Sequence, residues 1–343
     1  MIFKQDDWKR SQLRLPIDLH ERLVKFAEKN GLSMNSAIIE ILEKTLNNDI
    51  SLSKLTILES LKNIEDLLKS KEFEFDRTSE VAARLIDCLK MTNDLVSPEL
   101  TPSNIAELLG EESASKFVDY FAGIKEPSFK ELDKFSSFFG VNEGWLKHGN
   151  LPKFNIEYFR MSLNPEIAVI ELLNLNDNSQ SKPTDIYFIR NKSKSGELLI
   201  VRKYSKWSID ILITPMHISD VIGAGGYSML KSFFVTLKIL YELYISSSIK
   251  NTVNIKSFII ENNKFNDIRE GVIHPLTILK DQNNSTWWED IWDASMYKKN
   301  EYWDGFGKIA KYIQDGVNTD EVLLNFVSKI KTHELDIFKD YSK

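Results

Sequence analysis

The first fifty residues change from a strand-like to a helix-like spacing of apolar positions. Over residues 10–15 polar and apolar residues alternate, which predicts a half-buried strand, because successive side chains of a strand point to opposite faces. The polar face of that strand carries Arg10, Gln12 and Arg14. The apolar face carries Leu13 and Leu15. The segment therefore predicts a strand with one wet face and one buried face.

Two helices are predicted after this strand. Pro16 ends the strand and suits the first turn of a helix, which Asn30-Gly31 closes. Ser33 is a good N-cap for a second helix. Apolar residues recur at helical spacing in both. They are Leu19, Leu23 and Phe26 in the first helix, and Ile38, Ile41, Leu42 and Leu46 in the second. The order of elements is strand, helix, turn, helix.

A unit of this size cannot bury enough surface alone, and an unpaired strand edge favours a second copy. With its strand ending in Arg14 and Pro16 and its loop over residues 30–36, the segment resembles the ribbon-helix-helix DNA-binding domains of the Arc repressor family. The resemblance implies an obligate dimer. Its two strands would form an antiparallel ribbon in the major groove of DNA, and Arg10, Gln12 and Arg14 would face the bases.

The residue types suit this role. Arginine can donate two hydrogen bonds to guanine, and glutamine can pair with adenine. Backbone amides and polar side chains at the start of the second helix, at Ser33, Asn35 and Ser36, predict a phosphate clamp that positions the domain.

A third helix, which is amphipathic, is predicted over residues 52–70. It carries an apolar seam of Ile57, Leu61, Ile64 and Leu68. This seam is short, so it could pack on a neighbouring domain or pair with a second chain. The polar stretch over residues 70–78 is predicted to be a linker.

Residues 79–154 predict five helices, and their succession resembles the Cro and lambda-repressor class of helix-turn-helix domain. The residues that carry the resemblance are Ile105-Ala106, Leu109-Gly110, Gly123, Pro127 and the closing Val141–Leu146.

The helix-turn-helix resemblance implies that a helix beginning near residue 115 enters the major groove. The implied DNA-contacting residues are Thr101, Ser103, Ser115, Lys116 and Asp119. Two departures weaken it: Pro102 stands where the family often has glutamine, and one extra residue separates Gly110 from Gly123. The alternative is a domain used for dimerisation or partner binding.

The carboxy-terminal half predicts an α+β domain. Strand-like runs over 186–190, 198–204 and 209–214 predict an antiparallel meander, and 253–260 predicts a fourth strand. An apolar helix is predicted over Tyr227–Ser246, followed by two or three terminal helices within 305–340.

Candidate chemistry in this half is weak. The run Gly223–Gly226 lacks the Lys-Ser/Thr of a phosphate loop. Tryptophans 287, 288, 292 and 303 with nearby carboxylates could line a pocket for a cationic ligand or form a packing surface. No serine or cysteine in a recognisable nucleophile context accompanies the histidines. We therefore predict no enzyme activity and no cofactor.

Charge and composition limit these hypotheses. The net charge is −6, and residues 81–150 carry 7 lysines and arginines against 11 acidic residues, which counts against broad phosphate binding. One cysteine excludes an intrachain disulfide, and the separated histidines make a metal centre unexpected. No apolar run approaches about 20 residues and no secretion signal is evident, so we expect a cytoplasmic protein without a membrane segment.

Together these patterns predict a multidomain protein that is α+β overall. The predicted parts are a ribbon-helix-helix domain (1–50), an amphipathic helix and linker (51–78), an all-α five-helix domain (79–154) and an α+β sensing or oligomerisation domain with an antiparallel sheet (155–343).

The predicted function is that of a prokaryotic transcriptional regulator, of repressor type, which binds double-stranded DNA as a homodimer or higher homo-oligomer. The carboxy-terminal domain would sense an effector or a partner protein. The alternative is an antitoxin or anti-defence interaction protein, whose carboxy-terminal half binds a partner while the amino terminus autoregulates transcription.

Overall fold

The computed structural model describes residues 15–47, 76–175, 182–246, 253–297 and 299–341. By their contacts the residues divide into two compact units, Met1–Glu74 and Phe75–Lys343. The predicted ribbon strand, with Arg10, Gln12 and Arg14, and the predicted helix over 52–70 lie outside the described residues.

The first unit contains two helices, α1 (Ile17–Asn30) and α2 (Met34–Asn47). Gly31 ends α1 in the left-handed conformation, at φ +66°, where a glycine is favoured. The two helices pack through small residues, since Ala27 and Ala37 are buried. The predicted helix, turn and helix are confirmed.

The second unit begins with five helices, as the apolar spacing predicts. They are α3 (Arg77–Asn93), α4 (Pro102–Leu108), α5 (Ser115–Phe121), α6 (Phe129–Phe139) and α7 (Glu143–His148). Side-chain caps define where several of them begin. The N-cap of α4 is Thr101 and that of α6 is Ser128, and each forms a reciprocal capping box with the residue three positions later.

A five-stranded sheet follows in the order β1-β4-β3-β2-β5. Its strands are β1 (Ile156–Tyr158), β2 (Asp185–Asn191), β3 (Glu197–Lys203), β4 (Ile209–His217) and β5 (Asn254–Ile260). The predicted meander is present, because β3 pairs antiparallel with both β2 and β4. The prediction of an antiparallel sheet is wrong, since β1 pairs parallel with β4 and β5 pairs parallel with β2. The chain reaches β5 through a long helix, and such a crossover allows parallel pairing.

The remaining helices lie between and after these strands. They are α8 (Pro165–Leu172), α9 (Ala224–Ile245), α10 (Asn262–Arg269), α11 (Pro275–Leu279), α12 (Trp287–Asp290), α13 (Phe306–Val317), α14 (Glu321–Thr332) and α15 (Asp336–Tyr341). The predicted buried helix is α9, which begins three residues earlier than expected, with Gly223 as its N-cap. No helix among these or the other described residues combines the length and apolar character needed to cross a bilayer.

Helices cover both faces of the sheet. Successive side chains of its strands point to opposite faces, and each face packs into its own apolar cluster. Phe188 and Ile200 lie in a cluster with residues of α9, α13 and α14. Ile189 and Val201 lie in the other cluster with residues of α3–α7. The five helices and the sheet therefore share one continuous core, without a break in packing at the predicted boundary near residue 154. The predicted four-part division of the chain stays a prediction.

Candidate nucleic-acid interface

The start of α2 presents a short polar surface. The Ser33 side chain accepts a hydrogen bond from the Ser36 backbone N–H at 3.1 Å, and the two hydroxyl oxygens lie 2.8 Å apart. Ser33, Asn35 and Ser36 are all exposed. Because Ser33 uses one acceptor position for this cap, its hydroxyl and the remaining N–H groups of the first turn stay accessible to an anion. The three predicted clamp residues are thus brought together on one exposed turn.

Apolar side chains of α1 and α2 are left uncovered within the first unit. Ile17 is 80% exposed and Leu42 is 53% exposed, and Leu19 and Met34 are also exposed. Among residues 15–42, with the exception of Asp18, only Ala27 and Ala37 are fully buried. Such an uncovered apolar surface is expected where a second copy packs.

In the five-helix part, three of the predicted DNA-contacting residues lie at the starts of α4 and α5. Thr101 is the N-cap of α4, where its hydroxyl accepts from the Asn104 backbone N–H at 3.3 Å. Ser103 and Ser115 are exposed. Ser115 opens α5, and its backbone N–H donates to the Ser113 hydroxyl at 3.3 Å. The local role of Thr101 is therefore to begin a helix.

Lys116 of α5 is engaged within the protein. Its ammonium forms an ion pair with the Glu131 carboxylate. Glu131 also accepts from the Tyr120 hydroxyl at 2.8 Å and from the Ser128 backbone N–H at 2.7 Å. Burial opposes ionisation of Glu131, but these hydrogen bonds outweigh it and lower its pKa to about 2. The hydrogen bond to Glu131 in turn raises the pKa of Lys116.

Acidic residues outnumber basic residues around α5. Asp119 is half-buried on the same helix, and Glu111 pairs with Lys134 at 3.0 Å. A DNA-contacting helix needs cations directed outward, since phosphate contacts supply much of the affinity. With Lys116 held by Glu131, α5 offers polar contacts but little free positive charge.

The single cysteine of the chain, Cys88, and the histidine His274 are both buried in the second unit. Cys88 is fully buried, and burial raises the pKa of its thiol to about 12. His274 is the N-cap of α11, where its Nδ1 accepts from the Leu276 N–H at 3.2 Å and its Nε2 lies 3.0 Å from the Trp207 carbonyl oxygen. Burial lowers the pKa of His274 to about 4, so the ring is neutral and unsuited to proton transfer near neutral pH.

Two further expectations concern the tryptophans and metal binding. Trp287 and Trp288 are fully buried in the core, whereas the Trp303 ring lies against the Arg190 guanidinium. Within the described part of the chain, no three potential metal ligands gather. Sequence reasoning missed Arg190, although a charged residue inside the apolar run 186–190 is an available signal.

A family model, the Arc-like DNA binding domain, matches residues 7–53. Residues 7–53 form an Arc-like DNA-binding domain. This match covers α1, α2, the predicted clamp residues and the predicted ribbon strand, and it indicates a sequence-specific DNA-binding regulator. Arc-like domains usually bind DNA as dimers. The match ends before α3, so it supports neither a helix-turn-helix domain nor a family for the sheet. Comparison with curated proteins gives no significant match, and neither does comparison with solved structures.

Proposed function

We propose that the chain is a repressor-type transcriptional regulator whose Arc-like domain reads the major groove as a dimer. The observation that carries this proposal is the domain match over residues 7–53. Arg10, Gln12 and Arg14 would project from a two-stranded ribbon toward the bases, where bidentate pairs discriminate sequence. Occupancy of a promoter by the dimer would then block transcription.

The surface of the α1–α2 pair supports dimerisation. Its two buried residues are alanines, which contribute little apolar area, while Ile17 and Leu42 remain largely exposed. A second copy would cover these side chains and would also pair the edge of the ribbon strand. Two-fold symmetry of such a dimer requires an operator with two related half-sites.

The start of α2 supports phosphate contact. Ser33, Asn35 and Ser36 are exposed together at a helix N-terminus, which favours an anion through its N–H groups and its dipole. This contact would position the ribbon without reading sequence, as phosphate contacts do.

We assign α3–α7 to packing rather than to DNA reading. Lys116 is held by Glu131, and the apolar sides of these helices cover the sheet. A regulator of this kind would carry one DNA-reading module per subunit, in the Arc-like domain.

DNA binding by the full chain tests this division. A footprint on the DNA that flanks its own gene would locate the operator, and titrations of that operator would then compare two alanine variants. Gln12→Ala should weaken operator binding by about 1–3 kcal/mol and relax the preference at one base position in each half-site. Lys116→Ala is the control and should leave the affinity unchanged. Unchanged binding by Gln12→Ala, or a strong loss with Lys116→Ala, would contradict the assignment.

A further inference from the structure

A cavity of about 340 Å³ lies in the second unit, where strands β2 and β4 end. Both strands pair antiparallel with β3, so they run in the same direction and their carboxyl ends share one edge of the sheet. Ligands of α/β sheets commonly bind at this edge. We call it the β2–β4 cavity. The residues that line it lie in the segments 190–194, 219–221 and 303–309.

Arg190 of β2 is a buried cation in this lining, with 3% of its surface exposed. Its Nε and Nη2 donate to the Ile218 carbonyl oxygen at 3.2 and 3.0 Å, and its Nη1 donates to the Asn191 carbonyl oxygen at 2.9 Å. Its guanidinium carbon lies 4.1 Å from the centre of the Trp303 ring. These contacts hold the guanidinium in place but use only three of its five N–H donors.

No carboxylate of the described residues forms an ion pair with Arg190. Burial lowers the pKa of Arg190 to about 10, and no nearby acid counteracts that effect. A buried charge is costly unless it is paired, so an arginine that lies beside a cavity without a carboxylate partner is suited to binding an anion.

Two other groups in the lining point to the same ligand. Ser219 is 5% exposed, and its buried hydroxyl has no hydrogen-bond partner among the described residues. The 12-residue helix α13 begins at the cavity with Gly305 as its N-cap. The Phe306 N–H donates to the Trp303 carbonyl oxygen at 3.0 Å, and no side chain caps the following N–H groups of the first turn. An anion in the cavity would satisfy both the hydroxyl and the helix N-terminus.

The remaining charges of the lining are also biased toward cations. Lys192, Lys194 and Lys308 line the cavity together with Asp220 and Asp304. Lys308 pairs with Asp220 at 3.0 Å and Lys192 pairs with Glu261 at 2.5 Å, whereas Lys194 has no ion pair with a described carboxylate. With Arg190, the lining carries four cations and two acids in a chain whose net charge is −6.

We propose that the β2–β4 cavity binds a small phosphate-bearing molecule. Arg190, the Ser219 hydroxyl and the N–H groups of the first turn of α13 that follow Phe306 hold the phosphate. Lys194 neutralises its second charge, and Lys308 contributes by exchanging its exposed ion pair with Asp220 for the phosphate. Guanidinium and helix N-termini are both well suited to phosphate oxygens. The volume of the cavity exceeds that of phosphate alone, so it leaves room for an organic group. This site does not rest on the proposed reading of DNA.

Isothermal titration of the full chain, in phosphate-free buffer, tests the proposal. The probes are inorganic phosphate, adenosine 5′-monophosphate and adenosine. One-to-one binding of inorganic phosphate or of the nucleotide, without binding of adenosine, supports the site. Similar affinities for the two anions would indicate inorganic phosphate as the ligand, whereas tighter binding of the nucleotide would indicate a phosphate ester. Absence of binding by both anions would overturn the proposal.

Variants then locate the site. Arg190→Gln should weaken anion binding at least tenfold, and its fold is checked by circular dichroism because Arg190 is buried. Lys308→Gln alters an exposed side chain and should weaken binding about two- to fivefold, the range of an exposed ion pair. Lys311→Gln, one turn further along α13 and exposed, is the matched control and should have no effect. Equal affinities of the Lys308 and Lys311 variants and the parent chain would place the anion elsewhere and overturn the proposal.

Discussion

Lys116 of α5 forms an ion pair with Glu131 of α6, and the same carboxylate accepts hydrogen bonds from Tyr120 and from the backbone of Ser128. The cation that the sequence offers to DNA is thereby used to hold two helices together. Glu131 is at once the capping-box residue of α6 and the centre of this network. The stability of the five-helix unit therefore depends on the ionised carboxylate of Glu131.

Glu131→Gln should destabilise the second unit by about 1–3 kcal/mol at pH 7, because hydrogen bonds to a charged group are lost from a largely buried site. The folded-state pKa of Glu131 is about 2, below the ordinary value of 4.5. A lowered folded pKa contributes stability above pH 4.5, and this contribution disappears as the pH falls toward about 2.

Urea titrations of the parent chain and the variant between pH 7 and pH 2 measure this effect. The difference in unfolding free energy should shrink as the pH falls from about 4.5 toward about 2. Glu112→Gln, at an exposed position between α4 and α5, is the control and should change stability little. A difference that stays constant with pH would show that Glu131 acts through packing alone.

Asn35→Asp should weaken DNA binding by a similar factor for operator and unrelated DNA. A carboxylate at the start of α2 repels phosphate, yet it should stabilise the helix by about 0.3–1 kcal/mol through the helix dipole. Lower affinity combined with equal or higher stability would separate the phosphate clamp from a folding role. Asn263→Asp, exposed in α10, is the control. Equal affinity of Asn35→Asp and the parent chain would remove Asn35 from the interface.

Cys88 should not react with a thiol reagent in the folded protein. It is fully buried, and its pKa of about 12 leaves almost no thiolate at pH 8. As the chain has one cysteine, the rate of colour release from Ellman's reagent reports this site alone. The rate should rise to that of an exposed thiol when urea unfolds the second unit. Rapid labelling in native buffer would show that α3 opens readily.

Gly196→Ala should destabilise the second unit by more than about 1 kcal/mol. Gly196 has φ +59°, and a Cβ there would lie 2.4 Å from the Ile218 carbonyl oxygen and 2.5 Å from Arg190 Nη2. Gly225→Ala is the matched control, since its Cβ would meet open space in the first turn of α9, where alanine is favoured by about 0.5–1 kcal/mol. Thermal unfolding of both variants measures the contrast. Equal melting temperatures of the two variants would mean that the turn before β3 shifts to accommodate the added methyl group.

Local signals in the sequence predicted most of the helices and strands. Strand-like apolar runs located β2, β3 and β4, and the run over 253–260 located β5. The Asn30-Gly31 pair located the end of α1. The start of α9 was missed by three residues, because Gly225 and Gly226 carry no apolar side chain and have low helix propensity. The short strand β1 gave no pattern long enough to detect.

For the candidate sites, the sequence was enough to predict the Arc-like domain, whereas the phosphate contact of Ser33, Asn35 and Ser36 stays a prediction. Ser33 and Ser36 are three residues apart on one helix, so their contact follows from helical geometry. Arg10, Gln12 and Arg14 stay predictions. Lys116 appeared free in the sequence because its partner belongs to another helix.

What the sequence by itself determined was the order of elements and the amino-terminal family likeness, since both depend on residues close together in the chain. The tertiary structure alone decided the parallel pairing of β1 and β5, the engagement of Lys116 and the position of Arg190 beside Ile218 and Trp303. These contacts join residues 15 or more positions apart, and periodicity along the chain does not report which elements meet.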